Sequence, residues 1–143
     1  MAFTTEDLQR LDGIRKQIHK QFRYVEDHKL WKKSEHWEDD ETLIKKIHEV
    51  ATIKGDCEEF ARCCLYLANK NNYHARLIVG YLQGVGHCWT EVTDIAYEEA
   101  VYMDNNYHKL LARKEMRQHQ PIMASPWNPY PGDPRNWVVL KTK

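Results

Sequence analysis

From Thr4 onward, apolar residues return every three or four positions, at Leu8, Leu11, Ile14, Ile18, Phe22 and Val25, behind a polar start of Thr4, Thr5, Glu6 and Asp7. That spacing keeps one face of a 3.6-residue repeat apolar and predicts a helix over 5–25. A polar stretch with Trp31 and Trp37 follows. Asp39 or Asp40 then suits the cap of a second helix, with Leu43, Ile44, Ile47 and Val50 as its buried edge until Lys54-Gly55 breaks the pattern. Residues 57–70 place Phe60, Ala61, Cys64, Leu65 and Ala68 on one stripe and stop at Asn71-Asn72, which predicts a central helix.

Beyond it the period changes. Ala75 to Leu82 and His87 to Val92 are β-rich runs separated by Gln83-Gly84-Val85-Gly86, the signature of a hairpin, and Ala100 to Asp104 reads as a third strand after the acidic link 93–99. A short helical pattern lies near Lys109 to Gln118. A turn-rich segment with Pro121, Pro126, Pro129, Pro131 and Pro134 comes next, and Trp137 to Lys141 reads as a last strand. Helices first and strands second predict an α+β fold, with N-terminal helices and a central cysteine-bearing helix packed on a small antiparallel sheet.

The chain has 143 residues, the size of one domain, and is expected to form a single unit over 1–143. Five Trp and eight Tyr supply an aromatic-rich core. Twenty-one basic side chains balance 21 acidic ones, so no positive excess favours a phosphate backbone, and neither nucleic acid nor a membrane is expected as a partner. The start, Met1 to Arg10, is acidic and polar without the apolar run of a signal segment, and a cytoplasmic location is the expectation. Four cysteines, Cys57, Cys63, Cys64 and Cys88, match neither a disulfide ladder nor a zinc knuckle and read as reduced thiols.

Three of the residues that could carry chemistry fall into an order. Cys57 opens the central helix after Gly55-Asp56, where unpaired N–H groups and the positive end of the dipole favour a thiolate. His87 heads the second strand behind a glycine-flanked turn, as suits a general base. Asp104 ends the third strand, and if the two strands pair, its carboxylate lies beside His87 to orient the imidazole. Alone, each has a plainer reading, namely a buried thiol, a structural histidine and an Asp-Asn-Asn turn. In this order they are much rarer than their parts. Glu91, four residues from His87 on the same strand face, is a competing carboxylate but reads better as a cross-strand partner.

The run Gly55-Asp56-Cys57-Glu58-Glu59-Phe60-Ala61, then Gly86-His87 with Cys88-Trp89-Thr90-Glu91-Val92, then Met103-Asp104-Asn105, resembles the bacterial transglutaminase-like cysteine proteinases, relatives of the papain-like fold. Phe22, Tyr24, Asp27, Trp31 and Trp37 match that family's aromatic lead into its G-D-C-E-D-x-A motif. The resemblance implies Cys57 as nucleophile, His87 as base and Asp104 as orienting acid. Glu59 stands where the family usually has Asp, and the first helix offers Gln17, His19 and Gln21 where an Asn is common. The oxyanion hole would use the Cys57 backbone N–H and a side-chain donor, for which Gln17, Gln21 and Trp31 are the candidates.

In some exported members of that family the acidic cluster beside the nucleophile binds calcium, and Asp56, Glu58 and Glu59 offer hard oxygen donors for it. Asp56 followed three residues later by Glu59 is also a capping box, and that plainer reading leaves no cofactor required. Zinc held by Cys57, Cys63, Cys64, Cys88 and His87 would need scattered ligands to converge. The aromatic tail, Trp127, Tyr130 and Trp137, reads as cover for the sheet ahead of a peptide groove.

The sequence therefore leads to a cysteine hydrolase or acyl transferase acting on a peptide or protein amide, with Cys57 and His87 as an ion pair near neutral pH. The rival is a binding or inhibitory module on the same fold, which has no reason to keep Cys57 reactive.

Overall fold

The computed structural model describes residues 2–25, 40–128 and 137–140. Helix α1 (Thr5–Gln21) begins at a capping box in which the Thr4 hydroxyl takes the Asp7 N–H and the Asp7 carboxylate takes the Thr4 N–H. It buries Leu11, Ile14 and Ile18, the expected stripe, but ends four residues early. Phe22 turns extended, and β1 (Phe22–Tyr24) pairs in parallel with β2 (Ile53–Gly55). Non-local pairing thus overrides the helical spacing of Phe22 and Val25. The Gln21 amide completes this junction by donating to the carbonyls of Lys46, in the last turn of helix α2 (Asp40–His48), and Ala51, just past it.

Strand β2 delivers the chain into α3 (Cys57–Lys70), the central helix. Its predicted stripe of Phe60, Ala61, Cys64, Leu65 and Ala68 is buried throughout, together with Leu11, Ile18, Leu43 and Ile47 of the other helices. Strands β3 (His74–Leu82) and β4 (Val85–Thr93) form the hairpin, closed by Gln83 and Gly84, both at positive φ. Those two residues make the two-residue turn whose twist matches the strands, so β4 starts two residues before the expected His87. The sheet continues through β5 (Ala100–Met103) and β6 (Leu111–Ala112) on one side, and β7 (His119–Ala124) and β8 (Val138–Val139) on the other. The spatial order is β6-β5-β4-β3-β7-β8, antiparallel throughout.

Alternation along β4 divides the interior. Cys88 and Val92 pack with the helices, and Thr90 donates its hydroxyl to the Ala61 carbonyl of α3 at 2.8 Å, while Trp89 joins Ile78, Tyr102, Leu111 and Ala124 on the opposite face. Trp127 lies under the Arg76 guanidinium and Trp137 packs against the main core, so both cover the structure; Tyr130 is outside the described residues. The predicted helix near Lys109 to Gln118 is reduced to a 3₁₀ turn, Arg113–Glu115. No helix among the described residues is long and apolar enough to cross a membrane.

The segment taken for turns holds β7. Pro121 is tolerated there because it faces Gly80 where the β3–β7 register slips, and β8 pairs only with Met123 and Ala124. A Cβ at Gly80 would overlap the Gln120 carbonyl and the Pro121 backbone. Gly80→Ala is therefore expected to push β7 off β3 and lower stability by roughly 1–3 kcal/mol, the range of overpacked cores, read as a shift in urea midpoint at unchanged slope.

Candidate functional site

Three elements converge on Asp104. It follows β5, is 0 % exposed, and its Oδ1 accepts the Asn106 N–H at 2.8 Å, so the expected Asp-Asn-Asn turn is also what orients the carboxylate. His87, near the start of β4, places Nε2 2.9 Å from both carboxylate oxygens. His119, the first residue of β7, places its Nε2 2.8 Å from Oδ2. Trp89 lies edge-on to His119 at 4.7 Å between ring centroids, with the His87 ring 5.8 Å from the same indole. Burial works to raise the Asp104 pKa, but the hydrogen bonds from His119 and His87, together with the attraction of His87, outweigh it and hold the carboxyl at about 2.

An ionised carboxylate only accepts, so each imidazole must present its Nε2 as an N–H. For His87 the neutral ring then carries its lone pair on Nδ1, the arrangement a general base needs. For His119 Nδ1 is buried without a partner. His119 escapes a reading of the sequence because Pro121 disguises its strand and Ile122 is the sole β-branched residue of HQPIMA.

Cys57 is half-buried at the first turn of α3. The Cys88 backbone, next to His87 on β4, is the neighbour that acts to lower its pKa. The position at the helix start is as expected, the ionisation is not. Burial first, then the charges of Asp56, Glu58 and Asp104, push the thiol up to about 12 against the Cys88 hydrogen bond. Desolvation and three nearby anions outweigh the helix dipole, so the resting group is a thiol, and any thiolate has to arise by proton transfer to a base.

The flanking acids form the capping box. Asp56 Oδ1 accepts the Glu58 N–H at 3.0 Å, and Glu59 Oε1 accepts the Asp56 N–H at 2.9 Å. Glu59 is 1 % exposed and fills the space beside Gly55, where a Cβ would crowd its side chain. Its Oε2 has no partner, and burial raises its pKa to about 8, helped by the Asp56 carboxylate. Glu59 faces inward within the capping box, which leaves Asp56 and Glu58 as the acidic side chains of the expected calcium set.

The remaining candidates separate. The two amide hydrogens of Gln21 go to Lys46 and Ala51, Gln17 donates to Gln21 Oε1 at 2.9 Å, and Trp31 lies outside the described residues. Glu91 is buried and takes Arg76 Nε at 2.6 Å and the Tyr102 hydroxyl at 2.7 Å, a cross-strand pair as expected but inside the protein. Among the described residues the cysteines do not converge as ligands. The group whose ligand atoms do, all within 4.8 Å, is His87, Asp104 and His119.

Glu59 makes a pH signature. Its folded pKa lies above the ordinary 4.5, so its contribution to stability is complete below about 4.5 and is lost as pH rises through about 8. Glu59→Gln, which keeps the acceptor for Asp56, should remove that loss: melting temperatures across pH 4 to 9 are expected to diverge in favour of the variant above pH 5, by an amount on the order of a few kcal/mol at the alkaline end.

The same architecture occurs in solved proteins. LapG from Legionella pneumophila superposes in its EGTA-treated form with a TM-score of 0.67 at 15 % identity, covering 94 % of this chain and 67 % of LapG. Its calcium-bound form gives 0.68 at 16 % identity, covering 94 % and 70 %. No curated protein sequence matches the chain. The family model of the transglutaminase-like superfamily matches residues 1–108, which contain Cys57, His87 and Asp104, and the chain belongs to that superfamily.

Proposed function

We propose that the protein is a cysteine-dependent amide hydrolase or acyl transferase in which Cys57, His87 and Asp104 act together on a peptide or protein substrate. The observation that carries this reading is the contact of His87 Nε2 with both oxygens of Asp104, which leaves Nδ1 as the proton acceptor. Membership of the transglutaminase-like superfamily supports a cysteine hydrolase or transferase at that coarse level.

In the proposed cycle His87 Nδ1 takes the thiol proton as Sγ bonds to the amide carbonyl carbon, and the carbonyl electrons move onto oxygen. In this reading the Cys57 backbone N–H receives that oxyanion. Collapse breaks the C–N bond, and the leaving amine departs with the proton from His87. Water or a second amine then gives its proton to His87 and attacks the thioester; the C–S bond breaks, and the proton returns to sulfur. Asp104 stays ionised and compensates the imidazolium formed in each half. Because Cys57 rests as a thiol, proton transfer belongs to the attack itself and does not precede it as a standing ion pair.

The calcium-bound form of LapG is compatible with an ion near Asp56 and Glu58 here, though no step requires one. A cytoplasmic location remains our reading of the sequence alone. A binding module on the same fold would show no turnover. The test is a panel of peptide amides with water or a primary amine as acceptor: turnover is expected in the wild type and a loss of several orders of magnitude in Cys57→Ala at unchanged circular dichroism. Turnover retained by Cys57→Ala would overturn the assignment.

A further inference from the structure

The imidazole that Cys57 needs is also one edge of a metal-shaped cluster. His87 Nε2, His119 Nε2 and the Asp104 carboxylate face one another, with N···O separations of 2.9 and 2.8 Å. Two ligands about 2.0–2.1 Å from a tetrahedral zinc ion stand about 3.3 Å apart; the three ligand atoms here lie within 4.8 Å of one another, so a shift of the two imidazoles about the carboxylate would admit an ion. Two imidazoles and one carboxylate are a donor set that suits zinc, and three protein ligands leave a fourth position for solvent. The side chain of His87 is 8 % exposed while Asp104 and His119 are sealed, so an ion would enter along the His87 ring.

We propose that His87, Asp104 and His119 form a zinc site whose occupation switches off the proposed cysteine chemistry. Both imidazoles now point Nε2–H at Asp104; to bind the ion through Nε2, each must carry its proton on Nδ1 instead. No net proton is released, since each neutral ring only changes tautomer. For His119 this exchanges one unpaired buried group for another, because its Nδ1 has no partner in either form. For His87 it has a chemical consequence: Nδ1 becomes a donor and can no longer accept the Cys57 proton, while Asp104 is diverted to the metal. Zinc would therefore inhibit through the orienting side of the histidine, without bonding to the sulfur. Of the scattered set Cys57, Cys63, Cys64, Cys88 and His87, only His87 takes part in this cluster.

The inference about inhibition rests on the proposed function, but the site does not, and the two are tested separately. Zinc chloride is titrated calorimetrically into the full chain in the wild type, Cys57→Ala, His119→Ala and His119→Asn, whose amide can still donate to Asp104. One equivalent is expected to bind wild type and Cys57→Ala alike. Even the loss of an outer-shell partner weakens metal sites 10–100-fold, so removal of the His119 ligand is expected to weaken binding by at least about tenfold in both variants. Cobalt(II) in place of zinc should give visible d–d bands without a thiolate charge-transfer band. Absence of zinc binding, binding lost in Cys57→Ala, or binding unchanged in a folded His119→Asn would each overturn the site. Zinc binding in a protein without amide turnover would leave the site standing and remove the proposed function. Turnover that zinc does not inhibit in the wild type would overturn the switch.

Discussion

A buried carboxylate must either be neutralised or be surrounded, and Asp104 is surrounded. Three hydrogen bonds from three segments, the imidazoles of His87 and His119 and the Asn106 N–H, keep it ionised in a place that desolvation alone would protonate. The constraint reaches far along the chain. It requires β4, β5 and β7 to meet at one point, and β7 reaches it only because Gly80 lets the two backbones approach where the register slips. The carboxylate in turn sets the tautomer of His87, the step at which packing becomes chemistry.

The start of α3 is a second place where opposing terms meet. A helix N-terminus lowers a thiol pKa, yet Cys57 is also buried and faces Asp56, Glu58 and Asp104. Burial and anions prevail. The acids are retained because they build the end of the helix, with Asp56 and Glu59 closing a capping box, and Glu59 buried largely in its neutral form at neutral pH. A cysteine held as a thiol is inert until a base lies within reach, and in the proposed function that base is His87. That dependence also makes the site sensitive to anything that changes which nitrogen of His87 holds the proton.

Much of this was legible in the residues. The stripe of α3 and a hairpin within Gln83 to Gly86 are local patterns, and local patterns survive folding; the pairing of β4 with β5 that sets Asp104 beside His87 followed from their succession. What was not legible depends on partners distant in sequence. Phe22 and Val25 keep a helical spacing, but Phe22 pairs with Ile53, so the helix ends where a strand is offered. His119 heads a strand that Pro121 disguises as a turn, and nothing local reveals that Gly80 will accommodate it. The surroundings of Cys57 divide in the same way: the helix dipole can be read from the chain, whereas the burial and the approach of Asp104 that raise its pKa belong to the tertiary structure.

The central claim, that His87 activates a thiol which is otherwise held protonated, is most directly tested by the rate of Cys57 alkylation against pH in the wild type and in His87→Ala, followed by peptide mass spectrometry with buried Cys63 and Cys64 as internal references. The account predicts reaction at Cys57 near neutral pH in the wild type. In His87→Ala that reaction should disappear, leaving Cys57 no more reactive at neutral pH than Cys63 and Cys64. Identical profiles in the two proteins, or a wild-type Cys57 no more reactive than Cys63 and Cys64, would contradict it.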